Sequence, residues 1–156
     1  MEFYIGGYAQ GKLAYVLRKY QGQEIEVVDG AYDRDIIEKI YTVGYKHNDV
    51  YDKTDKYNEA HRYTYEYTEK GIILNHLHLW VRHLLESGEN PEQCLKDFIA
   101  AYPDCIIISD EVGNGIVPMG REEREYRERL GRIQIELAEK AERVERVICG
   151  LGQRLK

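Results

Sequence analysis

Five short apolar runs constrain this chain more than any other feature: Glu2–Ile5, Ile25–Val28, Ile72–Leu74, Cys105–Ser109 and Val144–Cys149. Each is rich in β-branched residues and nearly free of polar alternation. A strand with one wet face alternates apolar and polar residues, so an unbroken apolar run requires cover on both faces. Helical patterns fall between the runs, over Lys12–Tyr20, Arg34–Tyr41, Leu79–Glu86 and Pro91–Ala101. Strand and helix in alternation predict an α/β fold, with a mainly parallel sheet, right-handed crossovers and helices on both faces. At 156 residues, with no Pro/Gly/Ser-rich linker, one domain over 1–156 is expected.

A long helix is predicted from about Arg121 to Arg143. Tyr126, Leu130, Ile133, Leu137, Ala141 and Val144 form one apolar stripe. Acidic and basic residues alternate around the rest, a solvated and self-neutralised surface. A nucleic-acid helix would show a basic excess, and the whole chain carries a net charge of −6. Nucleic acid is therefore excluded as a partner. No apolar run approaches membrane-spanning length and no leader pattern opens the chain, so no membrane insertion and a cytoplasmic location are expected.

The first run leads into Ile5-Gly-Gly-Tyr-Ala-Gln-Gly-Lys-Leu13, where Gly6, Gly11 and Lys12 fit G-x-x-x-x-G-K at a strand-to-helix junction. Glycines let successive backbone N–H groups turn toward phosphate oxygens, and the following helix adds its positive end. Lys12 would neutralise the β- and γ-phosphates. A glycine-rich turn can also be purely structural, and the position after Lys12 should be Ser or Thr to ligate magnesium. Leu13 is an alkyl group and cannot.

The three cysteines, Cys94, Cys105 and Cys149, form no CxxC pair, and Cys105 and Cys149 are expected as small buried hydrophobes. His76 and His78 would share one face if the third strand ran through them, with His83 beyond. No carboxylate or thiolate stands at matching spacing, so packed or surface imidazoles are expected rather than zinc ligands. Seven of the fourteen tyrosines fall between Tyr41 and Tyr67. Their apolar rings and polar tips suit a half-exposed edge or a subunit contact. Tyr63–Tyr67 alternates as an extra strand would.

The fourth run continues as Cys105-Ile-Ile-Ile-Ser-Asp-Glu-Val-Gly-Asn-Gly-Ile-Val-Pro118. Ligands of open α/β sheets sit beyond the carboxyl ends of strands, so Ser109, Asp110 and Glu111 should emerge beside the loop. Gly113 and Gly115 suit a sharp turn. This run resembles the S/T-N-E-V-G-x-G-I-V-P signature of the bifunctional adenosylcobinamide kinase/adenosylcobinamide-phosphate guanylyltransferases of cobalamin biosynthesis. The likeness continues through Tyr126–Gln134, similar to that family's F-R-D-x-x-G-R-x-N-Q helix. It includes Val147–Lys156 and, at the front, Ile5–Leu13, similar to L-G-G-A-R-S-G-K-S.

The resemblance implies a single P-loop NTPase-like domain holding GTP or ATP, with the corrinoid adenosylcobinamide as the other substrate. It implies kinase and guanylyltransferase activities at one nucleotide site, and members of such families commonly form homo-oligomers. The implied nucleotide-binding residues are Gly6, Gly7, Tyr8, Ala9, Gln10, Gly11, Lys12 and Leu13, with Asp29, Gly30, Ala31, Glu66, Asn75 and Glu111. Lys12 would stabilise transferred charge.

Three positions depart from the family. Leu13 stands for the magnesium-binding Ser, and Asn75 for an acidic residue in a D/E-C-x-T-x-W pattern. Val43 stands where the guanylylated His should follow the Asp33–Ile40 helix. His47 is the nearest imidazole and the candidate displaced nucleophile; His61 is the next. Asp29, in place of a small residue, would repel a phosphate. Magnesium thus lacks its usual ligands, and two readings follow: a divergent enzyme, or a nucleotide- or corrinoid-binding partner descended from one.

Overall fold

The computed structural model describes residues 1–32, 36, 71–113, 115–116 and 118–156. The described strands are β1 (Glu2–Gly6), β2 (Ile25–Asp29), β3 (Gly71–Asn75), β4 (Ile106–Asp110), β5 (Arg143–Ile148) and β6 (Leu151–Arg154). The described helices are α1 (Lys12–Lys19), α2 (Leu77–Glu86), α3 (Pro91–Ala101) and α4 (Arg121–Lys140). The expected helix over 34–41 and strand over 63–67 lie outside the described residues, apart from the buried Ile36.

The sheet runs β2-β3-β4-β1-β5-β6. Every neighbouring pair is parallel except β5 and β6, which form an antiparallel hairpin at one edge. The predicted α/β architecture is therefore present, with a hairpin added. Cys149 (φ 49°) and Gly150 (φ 73°) make its turn, both left-handed. Two successive positive φ values match the twist of a two-residue hairpin. Cys149 is exposed there, contrary to its expected burial, because the strand ends at Ile148.

Successive side chains on each central strand enter different cores, which explains the missing polar alternation. Phe3, Leu74, Ile107 and Val144 point to the larger core, under α2, α3 and α4. Tyr4, Ile73, Ile106, Ile108 and Val147 point to a smaller one with Val16 of α1. Helices thus lie on both faces. The apolar stripe of α4 holds: Tyr126, Leu130, Ile133 and Leu137 are all buried. Ala141 caps that helix and Arg143 begins the next strand, so the helix stops at Lys140 rather than Arg143.

The α1 face carries a half-buried polar cluster. Tyr4 and Tyr20 donate their hydroxyls to Glu2 at 2.6 and 2.5 Å, and Tyr15 donates to Glu145 at 2.7 Å. Lys19 reaches Glu145 at 3.1 Å, and Arg143 closes on the same carboxylate. Burial pushes both carboxyls up, but these donors outweigh it and hold Glu2 and Glu145 below the ordinary range. Tyr20 is pushed up to about 12, by burial first and by its Glu2 partner next. Nearly every polar side chain in this wall is committed to a neighbour, so it serves packing of α1 against β1 and β5.

Candidate nucleotide site

The carboxyl ends of β1, β2, β3 and β4 come to one rim of the sheet. Gly6 is in register with Asp110, and Asp29 with Asn75. Gly6 has no room for a side chain, since a Cβ there would stand 2.3 Å from the carbonyl oxygen of Val147. The chain then turns through Ala9 (φ 56°) and Gly11 (φ 74°), and Lys12 is the first residue of α1. Gly11 caps that helix without a side-chain bond, leaving the amino end facing the loop. The loop tip is pinned to the edge hairpin. Gln10 accepts from the backbone N–H of Cys149 at 2.6 Å through its side chain, and from Gly150 at 2.9 Å through its carbonyl. Arg18 reaches Gly150 O at 3.0 Å. Tyr8 is exposed, and Gly7 accepts from Lys12.

Lys12 is 7% exposed and its ammonium sits between Gly7 O at 2.8 Å and Asp110 Oδ1 at 2.5 Å. On the far side of Asp110, His78 Nε2 lies 3.6 Å from Oδ2. His78 Nδ1 accepts the backbone N–H of Asp110 at 3.1 Å, so the neutral ring carries its proton on Nε2, toward the carboxylate. Gln134 of α4 donates to Ser109 Oγ at 3.0 Å and to Asp110 O at 2.9 Å. Tyr126 donates to His78 O at 2.9 Å. Four elements thus fix the end of β4 beside the loop.

Burial, outweighing the attraction of Asp110, lowers His78 to about 4. An unfolded chain protonates this His below about pH 6.5. The folded-state value is depressed, so the stability it contributes is complete above that pH and is lost on acidification toward 4. Melting temperature measured across this window should fall, and His78→Gln, which keeps an acceptor for Asp110 N–H, should flatten that part of the curve. Equal slopes for both proteins would contradict the assignment.

Asp29 is engaged by three neighbours at the rim. Its carboxylate accepts from Asn75 at 3.0 Å and from the backbone of Ala31 at 2.9 Å, and meets His76 Nδ1 at 2.8 Å. Burial raises its carboxyl, yet His76, Ala31 and Asn75 together leave it lowered. The strand does not continue through His76 and His78 as a shared face: β3 ends at Asn75, and His76 caps α2 with φ 55°. Gly30 lies under that turn, where a Cβ would meet His76 O and Trp80 Cβ at 2.7 Å each. Glu111 forms a two-bond pair with Arg146 at 2.7 and 3.0 Å. Gly6–Lys12, Asp29–Ala31, Asn75 and Glu111 therefore line one rim, while Val43, His47, His61 and Glu66 lie outside the described residues.

Among the described residues, the positions expected to hold magnesium are engaged otherwise. Leu13 packs against the smaller core, Asn75 donates to Asp29, and Asp110 faces Lys12 and His78. No group of three or more His, Cys, Asp or Glu suited to a metal exists among the described residues. Nor is any described helix long and apolar enough to cross a membrane. Sequence reasoning placed Asp110 at the rim without assigning it the lysine, and missed His78 and Arg146 because their partners are distant in the chain.

Residues 5–155 match the family model described as cobinamide kinase / cobinamide phosphate guanyltransferase. The bifunctional adenosylcobalamin biosynthesis protein CobU of Escherichia coli K12 is 35% identical over 81 residues, 49% of this chain and 44% of that protein. The bifunctional adenosylcobalamin biosynthesis protein CobP of Pseudomonas aeruginosa PAO1 is 31% identical over 91 residues, 54% and 53% respectively. The chain thus spans about half the length of these curated relatives.

Proposed function

The chain belongs to the cobinamide kinase / cobinamide phosphate guanyltransferase family, and we propose that it binds a purine nucleotide by its phosphates at the loop Gly6–Lys12. The observation that carries this reading is the placement of Lys12. A buried ammonium at the first turn of a helix, beneath a glycine turn and at the carboxyl ends of parallel strands, is suited to anionic oxygen. GTP and ATP are the expected ligands, and a corrinoid is the expected second partner by family membership.

Leu13 and Asn75 favour a particular form of this function. Leu13 is packed in the smaller core and offers no oxygen, and Asn75, which donates its amide N–H to Asp29, offers an uncharged amide oxygen where a carboxylate would bring charge to a metal. We therefore read the protein as a nucleotide- or corrinoid-binding partner in cobalamin biosynthesis, not a magnesium-dependent transferase.

Labelled GTP, and separately ATP with adenosylcobinamide, test the reading in the presence of magnesium. The expected result is a melting temperature raised by GTP, with no acid-labile GMP on the protein and no phosphorylated corrinoid. Either product would overturn the non-transferring form. Melting unchanged at millimolar GTP would overturn the nucleotide site itself.

A further inference from the structure

Lys12 already holds an anion. In a phosphate loop its ammonium is the group that meets the β- and γ-phosphates, yet here Asp110 Oδ1 stands 2.5 Å from it, and both side chains are under a tenth exposed. Of the three N–H donors of the ammonium, Gly7 O takes one and the Asp110 carboxylate another, so a phosphate oxygen competes with a carboxylate for the same charge. We propose that Asp110 competes with ligand phosphate for Lys12: an incoming phosphate displaces it, and binding takes up one proton at the Asp110–His78 pair. The inference rests on the nucleotide reading above and adds to it a residue that sets phosphate affinity.

The argument is one of charge. In the ligand-free protein Lys12 and Asp110 cancel. A nucleotide phosphate brings further negative charge to the same ammonium, leaving a buried carboxylate beside an oxyanion. Two like charges at hydrogen-bonding distance in a poorly solvated site do not both persist; one is neutralised. Among the described residues, the groups facing Asp110 leave few ways to do it. From α1 there is Lys12, which the phosphate now engages. From α2 there is His78, with the charges of His76 and Arg82 reaching its ring. From α4 come only Gln134, donating to the Asp110 carbonyl, and Tyr126, bonded to His78 O. From β1, Gly6 offers backbone alone. Glu111, next in the chain, pairs outward with Arg146. His76 is engaged by Asp29.

Neutralisation therefore falls to a solvent proton. It adds to a carboxylate oxygen of Asp110, whose Oδ2 faces the Nε2–H of His78. No bond to phosphorus forms or breaks. An Asn at this position would keep the shape and demand no proton.

GTP binding by isothermal titration calorimetry in EDTA, in buffers of different ionisation enthalpy, counts the protons. Wild type should take up close to one proton more than Asp110→Asn. Between about pH 6 and 8 its affinity should fall with rising pH by up to about tenfold per unit more steeply than that of the variant. Asp110→Asn should bind GTP more tightly than wild type at the alkaline end. Protonation of GTP itself is common to both proteins and cancels in the difference. If the variant does not fold, wild type with inorganic sulfate, whose charge does not titrate here, gives the same count: affinity rising as pH falls supports the proposal, and a flat profile opposes it. Binding by both proteins with equal affinity and equal proton counts would overturn the role of Asp110 and leave the nucleotide site standing. Absence of GTP binding by both would overturn the nucleotide reading, and this inference with it.

Discussion

Lys12→Met is expected to abolish the GTP-dependent rise in melting temperature and to destabilise the ligand-free protein by about 3–5 kcal/mol. Both effects come from one contact. The ammonium is the cation of the proposed phosphate loop, and it is also the counter-charge of Asp110, which is 7% exposed. Removing it leaves a buried carboxylate with, among the described residues, only the neutral His78 within reach, at 3.6 Å. Breaking a buried pair by deleting one partner costs far more than replacing both. The double variant Lys12→Met/Asp110→Asn should therefore recover most of the lost stability while remaining unable to bind GTP. Denaturant unfolding gives the first quantity and GTP titration the second. A single variant as stable as wild type would mean that the pair contributes nothing to the fold.

Trp80→Ala is expected to cost about 3–5 kcal/mol without removing the nucleotide site. Trp80 is 1% exposed, its ring lies 6.2 Å from that of Phe98, and its Cβ fills the space beside Gly30. Its indole N–H has no partner among the described residues, so the loss is one of packing and not of a hydrogen bond. For a chain of this length each kcal/mol moves the midpoint by about 2–4 °C, which places the melting temperature roughly 10 °C lower. GTP should still raise it, because Trp80 points from α2 into the larger core and is not on the loop. Loss of that response would show that the packing of α2 also shapes the site.

The fold was legible where burial decides the pattern. Ile106–Ile108 is apolar throughout because neighbouring side chains enter opposite cores, and that alone separates a central parallel strand from an edge strand. Tyr126, Leu130, Ile133 and Leu137 announced α4 by the same logic. The hairpin to β6 was not legible: Leu151–Arg154 is exposed at all four residues, and its turn is Cys-Gly rather than Asn-Gly. The loop glycines and Lys12 were readable as a motif, because their spacing is local. Charge pairing was not. Asp110 lies 98 positions from Lys12, and His78 enters only because α2 starts two residues earlier than its periodicity suggests. The partners of Asp29 were not legible either: Asn75, His76 and Ala31 hold it where it braces the rim.

The central claim is that this rim grips nucleotide phosphate through Lys12 without a magnesium ion held by the protein. Titration of the full chain with GTP, first in EDTA and then in excess magnesium, tests it most directly. The account predicts saturable binding in EDTA, changed by less than about tenfold when magnesium is added, and lost in Lys12→Met. Binding that appears only with magnesium, or that survives in Lys12→Met, would contradict it.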